Sequence, residues 1–332
     1  MYRGFFLSLL FGVSRFENQE IYMKTLVTGS MAFDTIMVFE DQFKNHILPD
    51  QTHILNVCFL VPSMNRVMGG CAGNIAYTLK LLGGEPQIMA TVGEDFTPYQ
   101  NWLEKNKLSS DSIKVVPDTF TAQAFITTDK DNNQIIAFHP GAMNFAHQNK
   151  VADVSGVELG IVGPDGRDAM IEHSAQFAEL EVPFIFDPGQ GLPMFSGEEL
   201  ITFLNQATYA IVNDYESEML VEKTGLPLSE IADKVDALIV TRGGKGSEIY
   251  ANGEQLNIAS AAISEAVDPT GCGDAYRAGI LFGLSQGYDW KTCGQIGSLC
   301  GAIKIEQSGT QQHSFSIDSF KERYEKSFNE KF

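Results

Sequence analysis

The chain has 332 residues, 44% hydrophobic and 20% charged, a balance that supports a folded core and excludes an extensively disordered chain. Lys and Arg number 23 against 42 Asp and Glu, a formal net charge of −19 with a pI near 4.6, so nucleic acid and an anionic membrane surface are poor partners. Five cysteines without a C-x-x-C pair exclude a disulfide framework and a zinc ribbon and fit a reduced, cytoplasmic setting; no apolar run is long enough to span a membrane.

Residues 1–22 open with Arg3 and the apolar run Gly4–Val13, in the manner of a signal peptide, but no A-x-A-like site follows. The segment is read as an extension outside the core, with a peripheral apolar arm and a secretory signal as alternatives. A domain is expected over 23–325, followed by a short tail, 326–332. Leu26–Thr28 is predicted as its first strand and Gly70–Leu82 as a helix that stops at Gly83-Gly84. Gln87–Val92 reads as a buried strand and Pro98–Lys105 as a helix. Ile113–Val116, Ala122–Thr128 and Gln134–His139 read as strands, the last two joined by the polar turn Asp129–Asn133. Val157–Val162, Phe184–Phe186, Tyr209–Val212 and Leu238–Thr241 are short apolar strands without alternation, separated by helical stretches. That pattern predicts an α/β fold, a doubly wound and mostly parallel sheet covered by helices on both faces. A hairpin, Ser247–Tyr250 with Gln255–Ile258, and two long helices, roughly Cys272–Gln286 and Trp290–Glu306, complete the domain. Residues 36–66 and 113–140 break the βα rhythm and are expected to form a small β lid.

The glycine-rich stretches are candidate phosphate-binding segments. Gly29 is followed by Ser-Met-Ala-Phe and Gly244-Lys245 by Gly246, so neither a G-x-G-x-x-G dinucleotide fingerprint nor a Walker A loop is present. Asp268-Pro269-Thr270-Gly271-Cys272-Gly273-Asp274 differs from both. It places small residues where a helix begins, so the free N–H groups of the first turn converge on one spot with the positive end of the helix dipole. A carboxylate there repels phosphate, yet it suits a base that takes the proton of a hydroxyl attacking phosphorus. On spacing alone, an Asp capping a helix after a glycine turn competes with that reading.

The segment resembles the D-T-x-G-A-G-D signature of the PfkB (ribokinase-like) family of carbohydrate and nucleoside kinases. Gly69-Gly70-Cys71-Ala72-Gly73-Asn74, Gly83 and Gly93 resemble its N-terminal signature. Asp34, Asn213-x-x-Glu216 and Thr241-x-Gly243-x-x-Gly246 follow its order. The resemblance implies a kinase using ATP and Mg2+. Asp274 would be the base, with Gly271, Cys272 and Gly273 forming the anion hole. Asp34, Gly69, Gly70, Asn74 and Gln190 would bind the acceptor. Thr241, Gly243, Gly246, Asp268, Thr270, Arg277 and Asn213 would contact ATP. Glu216, with Asn213, would hold Mg2+ through water, and a monovalent cation such as K+ is implied near Asp268 and Thr270. Cys272 departs from the usual Ala or Gly, adding bulk and an oxidisable thiol.

Thr128–Ile135, Phe186–Gln190 and Asp274–Gly279 look most like the archaeal and bacterial nucleoside kinases, which points to adenosine. Phe39, Phe43, Phe59, Phe125 and Phe138 are candidates for the slot that takes the base. A sugar kinase, for ribose or fructose, and a ligand-binding relative without turnover are the alternatives. A homodimer through the lid strands is a further expectation, because an open lid exposes β edges.

Overall fold

The computed structural model describes residues 23–47, 56–131 and 133–332; the extension 1–22 lies outside the described residues. The short apolar runs become a sheet in which parallel strands β1 (Lys24–Thr28), β4 (Glu85–Val92), β5 (Ile113–Val115), β8 (Leu159–Val162), β9 (Phe184–Phe186), β10 (Tyr209–Asn213) and β11 (Ala237–Thr241) are joined by antiparallel β12 (Ser247–Ala251) and β13 (Glu254–Ile258). Their order is β13-β12-β11-β10-β9-β8-β1-β4-β5, with the winding reversing beside β1.

Successive residues of each strand face opposite sides, and both sides are apolar. Leu26, Val162, Phe186, Val212 and Val240 enter one core with α3 (Arg167–Glu179), α4 (Gly197–Gln206), α5 (Asp214–Thr224) and α6 (Leu228–Ala232). Val27, Ile161, Ile185, Ile211 and Ile239 enter the other with α1 (Cys71–Leu81), α2 (Thr97–Lys105), α7 (Cys272–Ser285), α8 (Trp290–Ile305) and α9 (Ile317–Phe328). Each fully buried branched side chain contributes about 1.5–3 kcal/mol, so this double coverage holds the strand ends rigidly. Helix α7 lies close on α8, where a Cβ at Gly279 would come 2.6 Å from the Gly297 Cα.

A second sheet, ordered β3-β2-β6-β7, consists of β2 (Ala32–Val38), β3 (Ser63–Gly69), β6 (Ala122–Thr128) and β7 (Gln134–His139). This is the small lid layer, with boundaries that differ from those read in the sequence. It starts at Ala32, so Asp34 lies within a lid strand. Ile113–Val115 instead pairs with Ala90–Val92 at the edge of the large sheet. The expected tail 326–332 is also corrected: α9 runs to Phe328, and the Phe332 ring packs against Phe282, Phe320 and Tyr324.

Of the lid phenylalanines, Phe39, Phe43 and Phe59 pack on one another and on His46, forming a small core of their own. In the register of the lid sheet, Asp34, Ala124 and Phe138 stand opposite one another and share a face; Phe125 pairs with Thr35 on the other face.

Candidate active site

Open parallel sheets gather functional groups at the carboxyl ends of their strands. Here Asp187 follows β9, and Asn213 and Thr241, the last residues of β10 and β11, are register partners. Asp274 comes to the same edge from the first turn of α7. Gly271, with φ +79°, is the residue before that helix, and its left-handed turn aims the first-turn amides.

Fewer first-turn amides are free than the sequence indicates. The Cys272 N–H is committed to the Pro269 carbonyl at 3.2 Å, closing a tight turn. Among the described residues, the N–H groups of Gly271, Gly273 and Asp274 have no backbone acceptor, and these can face an anion. The Cys272 side chain turns back, with Sγ 3.8 Å from the Asp268 carbonyl oxygen. Burial pushes its thiol up to about 11, so it is protonated at neutral pH and a poor nucleophile.

Asp274 accepts a hydrogen bond from Asn74 Nδ2 at 2.8 Å. The orientation of that amide is set by a chain of donors beginning at a group that can only donate. Trp102 Nε1 donates to Gln311 Oε1 at 2.9 Å. Gln311 Nε2 therefore donates, to Asn74 Oδ1 at 2.9 Å and to the Tyr99 hydroxyl at 2.7 Å. The Tyr99 hydroxyl donates in turn to the Gly69 carbonyl at 2.9 Å. With its oxygen occupied, Asn74 presents N–H to Asp274. Burial holds the Asp274 carboxyl above its ordinary range; Arg277 and Asn74 oppose this, and the charge of Asp187 adds to it.

Asp34 faces Asp274 from the lid. Burial, and secondarily the Asp274 charge, raises its pKa to about 6, with no hydrogen bond among the described residues to offset them. A Cβ at Gly69 would overlap the Asp34 carboxylate, which accounts for that glycine. Gly70, φ +85°, is required for a separate reason: a Cβ there would lie 2.7 Å from the Ala32 amide nitrogen.

Arg277 is not directed at an open phosphate site. It is buried and forks onto Asp187, with Nη2–Oδ1 at 2.6 Å and a second, shorter bond from Nε to Oδ2. Its Nη1 donates to the Gly273 carbonyl at 3.1 Å, and Nη2 stands 4.0 Å from the Glu216 carboxylate. Arg277 thus ties the first turn of α7 to the ends of β9 and β10. Asn213 and Glu216 form a reciprocal cap on α5: Glu216 N–H donates to Asn213 Oδ1, and Asn213 N–H to Glu216 Oε2, both at 2.8 Å. This leaves Glu216 Oε1 free of the cap. Burial, with the Asp187 charge, raises the Glu216 pKa.

Gly243 opens a 3-10 turn after β11, and beyond its chain neighbours no heavy atom of the described residues comes within 4 Å of its would-be Cβ; at Gly246 a Cβ would overlap the Ile258 carbonyl. Asp268 is spent on structure, accepting N–H groups of Thr270 at 2.9 Å and Gly309 at 2.8 Å, while Thr270 itself is exposed. Gln190 stands exposed on the 3-10 segment Gly189–Met194, with no hydrogen bond to the Asp274 cluster among the described residues. Sequence reasoning missed Gln311, Tyr99, Trp102 and the partnership of Asp187 with Arg277. Asp187 had a local signal in the D-P-G-Q run. Gln311, 237 residues from Asn74, had none.

A pattern described as the pfkB family of carbohydrate kinases matches residues 37–316. The chain belongs to that family. Among curated PfkB relatives, a nucleoside kinase from Methanocaldococcus jannaschii is 32% identical over 273 residues, covering 82% of this chain and 90% of the relative. Among solved PfkB structures, Burkholderia thailandensis nucleoside kinase in complex with inosine is 47% identical, with a TM-score of 0.84 over 92% of this chain and 99% of that one. The same Burkholderia enzyme in complex with ADP-inosine is 48% identical, with a TM-score of 0.82 over 92% and 97% of the two chains. Among the described residues of this PfkB protein, no helix is long and apolar enough to cross a membrane.

Proposed function

We propose that this protein transfers the γ-phosphate of ATP to the 5′-hydroxyl of a nucleoside, with adenosine as the foremost acceptor. The observation that carries the reading is the meeting of Asp274, Asn74 and Asp34 beneath the lid, at the head of a helix where the N–H groups of Gly271, Gly273 and Asp274 are left without a backbone acceptor among the described residues. The inosine-bound and ADP-inosine-bound relatives support a purine nucleoside in that place.

Asp274 takes the proton of the attacking hydroxyl, and its raised pKa makes it a stronger proton acceptor than an ordinary carboxylate. Asn74 holds the carboxylate in line. Asp34, poor in protein partners, accepts hydrogen bonds from ribose hydroxyls. Val67, Ala124 and Phe138, on the Asp34 face of the lid, offer apolar surface to the base. The amides of Gly271, Gly273 and Asp274 receive the charge that spreads over the transferring group. Thr241, Gly243 and Gly246 border the ATP phosphates. The lid excludes water and so limits hydrolysis of ATP.

Asp187, Glu216 and Asp274 surround the single guanidinium of Arg277, an acidic setting for a polyphosphate. The uncommitted Glu216 oxygen and the Asn213 amide oxygen are hard donors that fit Mg2+, an ion that keeps several waters and needs few protein ligands. When bound, Mg2+ supplies neutralisation of the phosphate charge. The lid edge supports a homodimer as well: β7 exposes all 6 of its residues, including Ile135, Ile136 and Phe138.

The deciding experiment is an acceptor panel of adenosine, inosine, guanosine, cytidine, ribose and fructose, read as acceptor-dependent ADP release. Turnover with adenosine and product phosphate on O5′ supports the reading. Preference for ribose or fructose refutes it in favour of a sugar kinase. ADP release indifferent to every acceptor refutes nucleoside phosphorylation. Sedimentation as a monomer at micromolar concentration would exclude the dimer.

A further inference from the structure

The family resemblance implies a monovalent cation near Asp268 and Thr270, but the residues there do not fit one. The place is already taken by a charge of the chain's own. Lys304, near the end of α8, has a side chain with no solvent exposure. Its Nζ donates to the carbonyl oxygens of Asp268 at 2.8 Å and Gln307 at 3.0 Å and stands 3.9 Å from the Asp268 carboxylate. These neighbours are acceptors only, two main-chain carbonyls and a carboxylate. They match an ammonium with three N–H donors and are equally the oxygens a K+ ion would seek. A second monovalent cation would have to share them with a fixed like charge.

The position of this charge gives it consequences for the anion hole. Asp268 is two residues before Thr270, three before the Gly271 turn and six before Asp274. Its carboxylate holds the Thr270 N–H on one side and the Gly309 N–H on the other. The loop entering α7 and the loop leaving α8 are therefore gathered round one buried cation. From the second loop, the Thr310 hydroxyl donates to the Met68 carbonyl at 2.7 Å, beside the Gly69-Gly70 turn. A Cβ on Gly271 would come within 3.2 Å of Thr310 Cγ2, so the two loops are in contact at the turn that aims the amides.

We propose that the Lys304 ammonium is a covalently tethered substitute for an exchangeable monovalent cation, a positioning residue that holds the anion-hole loop and frees phosphoryl transfer from any need for K+. Lys304 touches neither substrate nor reacting atoms. It acts through the Asp268 carbonyl and the backbone that follows. The inference rests on the kinase reading above.

Two measurements on the full chain test it at constant ionic strength, with KCl exchanged for tetramethylammonium chloride. For the wild type, the expected result is acceptor-dependent ADP release that changes less than about twofold, with a melting temperature that does not follow K+. For Lys304→Met, the expected result is a loss of about tenfold or more in kcat in the absence of K+. Added K+, but not tetramethylammonium, should restore part of it, with a K+-dependent rise in melting temperature. Saturable K+ activation of the wild type overturns the proposal, as does Lys304→Met turning over at the wild-type rate without K+. A Lys304→Met loss that K+ leaves unrestored also overturns it, because it marks a purely structural lysine. If that variant does not fold, the wild-type K+ titration decides alone. A wild type with no acceptor-dependent turnover in any salt would count against the kinase reading, while the response of its melting temperature to K+ would still decide the tether.

Discussion

Asp34→Asn should make the protein more stable and a poorer enzyme. Asp34 carries a largely buried carboxylate beside Asp274, with its pKa raised from 3.8 to about 6. A raised carboxyl favours the folded state fully below pH 3.8 and loses that contribution as the pH climbs through about 6. Above that point the ionised group costs the folded state about 3 kcal/mol as an upper figure, at about 1.4 kcal/mol for each tenfold change in proton affinity. At pH 5 the cost is about half as large. Asn keeps the shape and removes the charge, so the variant should melt higher than the wild type by roughly 5 °C at pH 8, shrinking towards pH 5. Its KM for the acceptor should rise at least tenfold, because a charged acceptor of ribose hydroxyls is lost. The assay is thermal and urea unfolding of both proteins from pH 5 to 8, with steady-state kinetics alongside. A wild type as stable as the variant at pH 8, or a stability gap that widens towards pH 5, would refute the reasoning.

Asp274→Asn should fold normally, by circular dichroism and melting temperature, and lose about 10²–10⁴-fold in turnover. Gln311→Leu should free the Asn74 amide and cost about 1.5–3 kcal/mol of transition-state stabilisation, or about 10- to 100-fold in kcat, with KM for ATP little changed; a fall confined to ATP KM would contradict the relay. Arg277→Met leaves Asp187 buried without its counter-charge and should destabilise by about 3–5 kcal/mol in urea titration, far more than loss of a surface ion pair. In the wild type, kcat/KM for the acceptor should fall as the pH drops through about 6, where the free-enzyme Asp34 takes up a proton. A profile flat down to pH 5 would remove Asp34 from acceptor binding.

Some of this molecule is written in short stretches of sequence. Unalternated runs such as Ile211-Val212 and Ile239-Val240 announce strands covered on both faces, because every residue of such a strand meets a core. The Gly271–Asp274 stretch likewise announces a helix mouth with a carboxylate in it, since turn, amide array and acid all lie within one helical turn. The lid was legible as a break in rhythm but not in its limits. Ile113–Val115 has strand composition, and only tertiary pairing with β4 assigns it to the large sheet.

The remainder depends on groups far apart in the chain. Arg277, expected from the resemblance to contact ATP, has no local sign of its acid partner until Asp187, 90 residues away, is brought within 2.6 Å. Which way the Asn74 amide points follows from Trp102 and Gln311, and which cation serves the loop at Asp268 follows from Lys304. A hydrogen bond or ion pair acts over about 3 Å, whereas sequence pattern records only neighbours along the chain. The sequence by itself therefore determined the layers, the turn and the carboxylate at the helix mouth. The tertiary structure decided which donors and charges surround them.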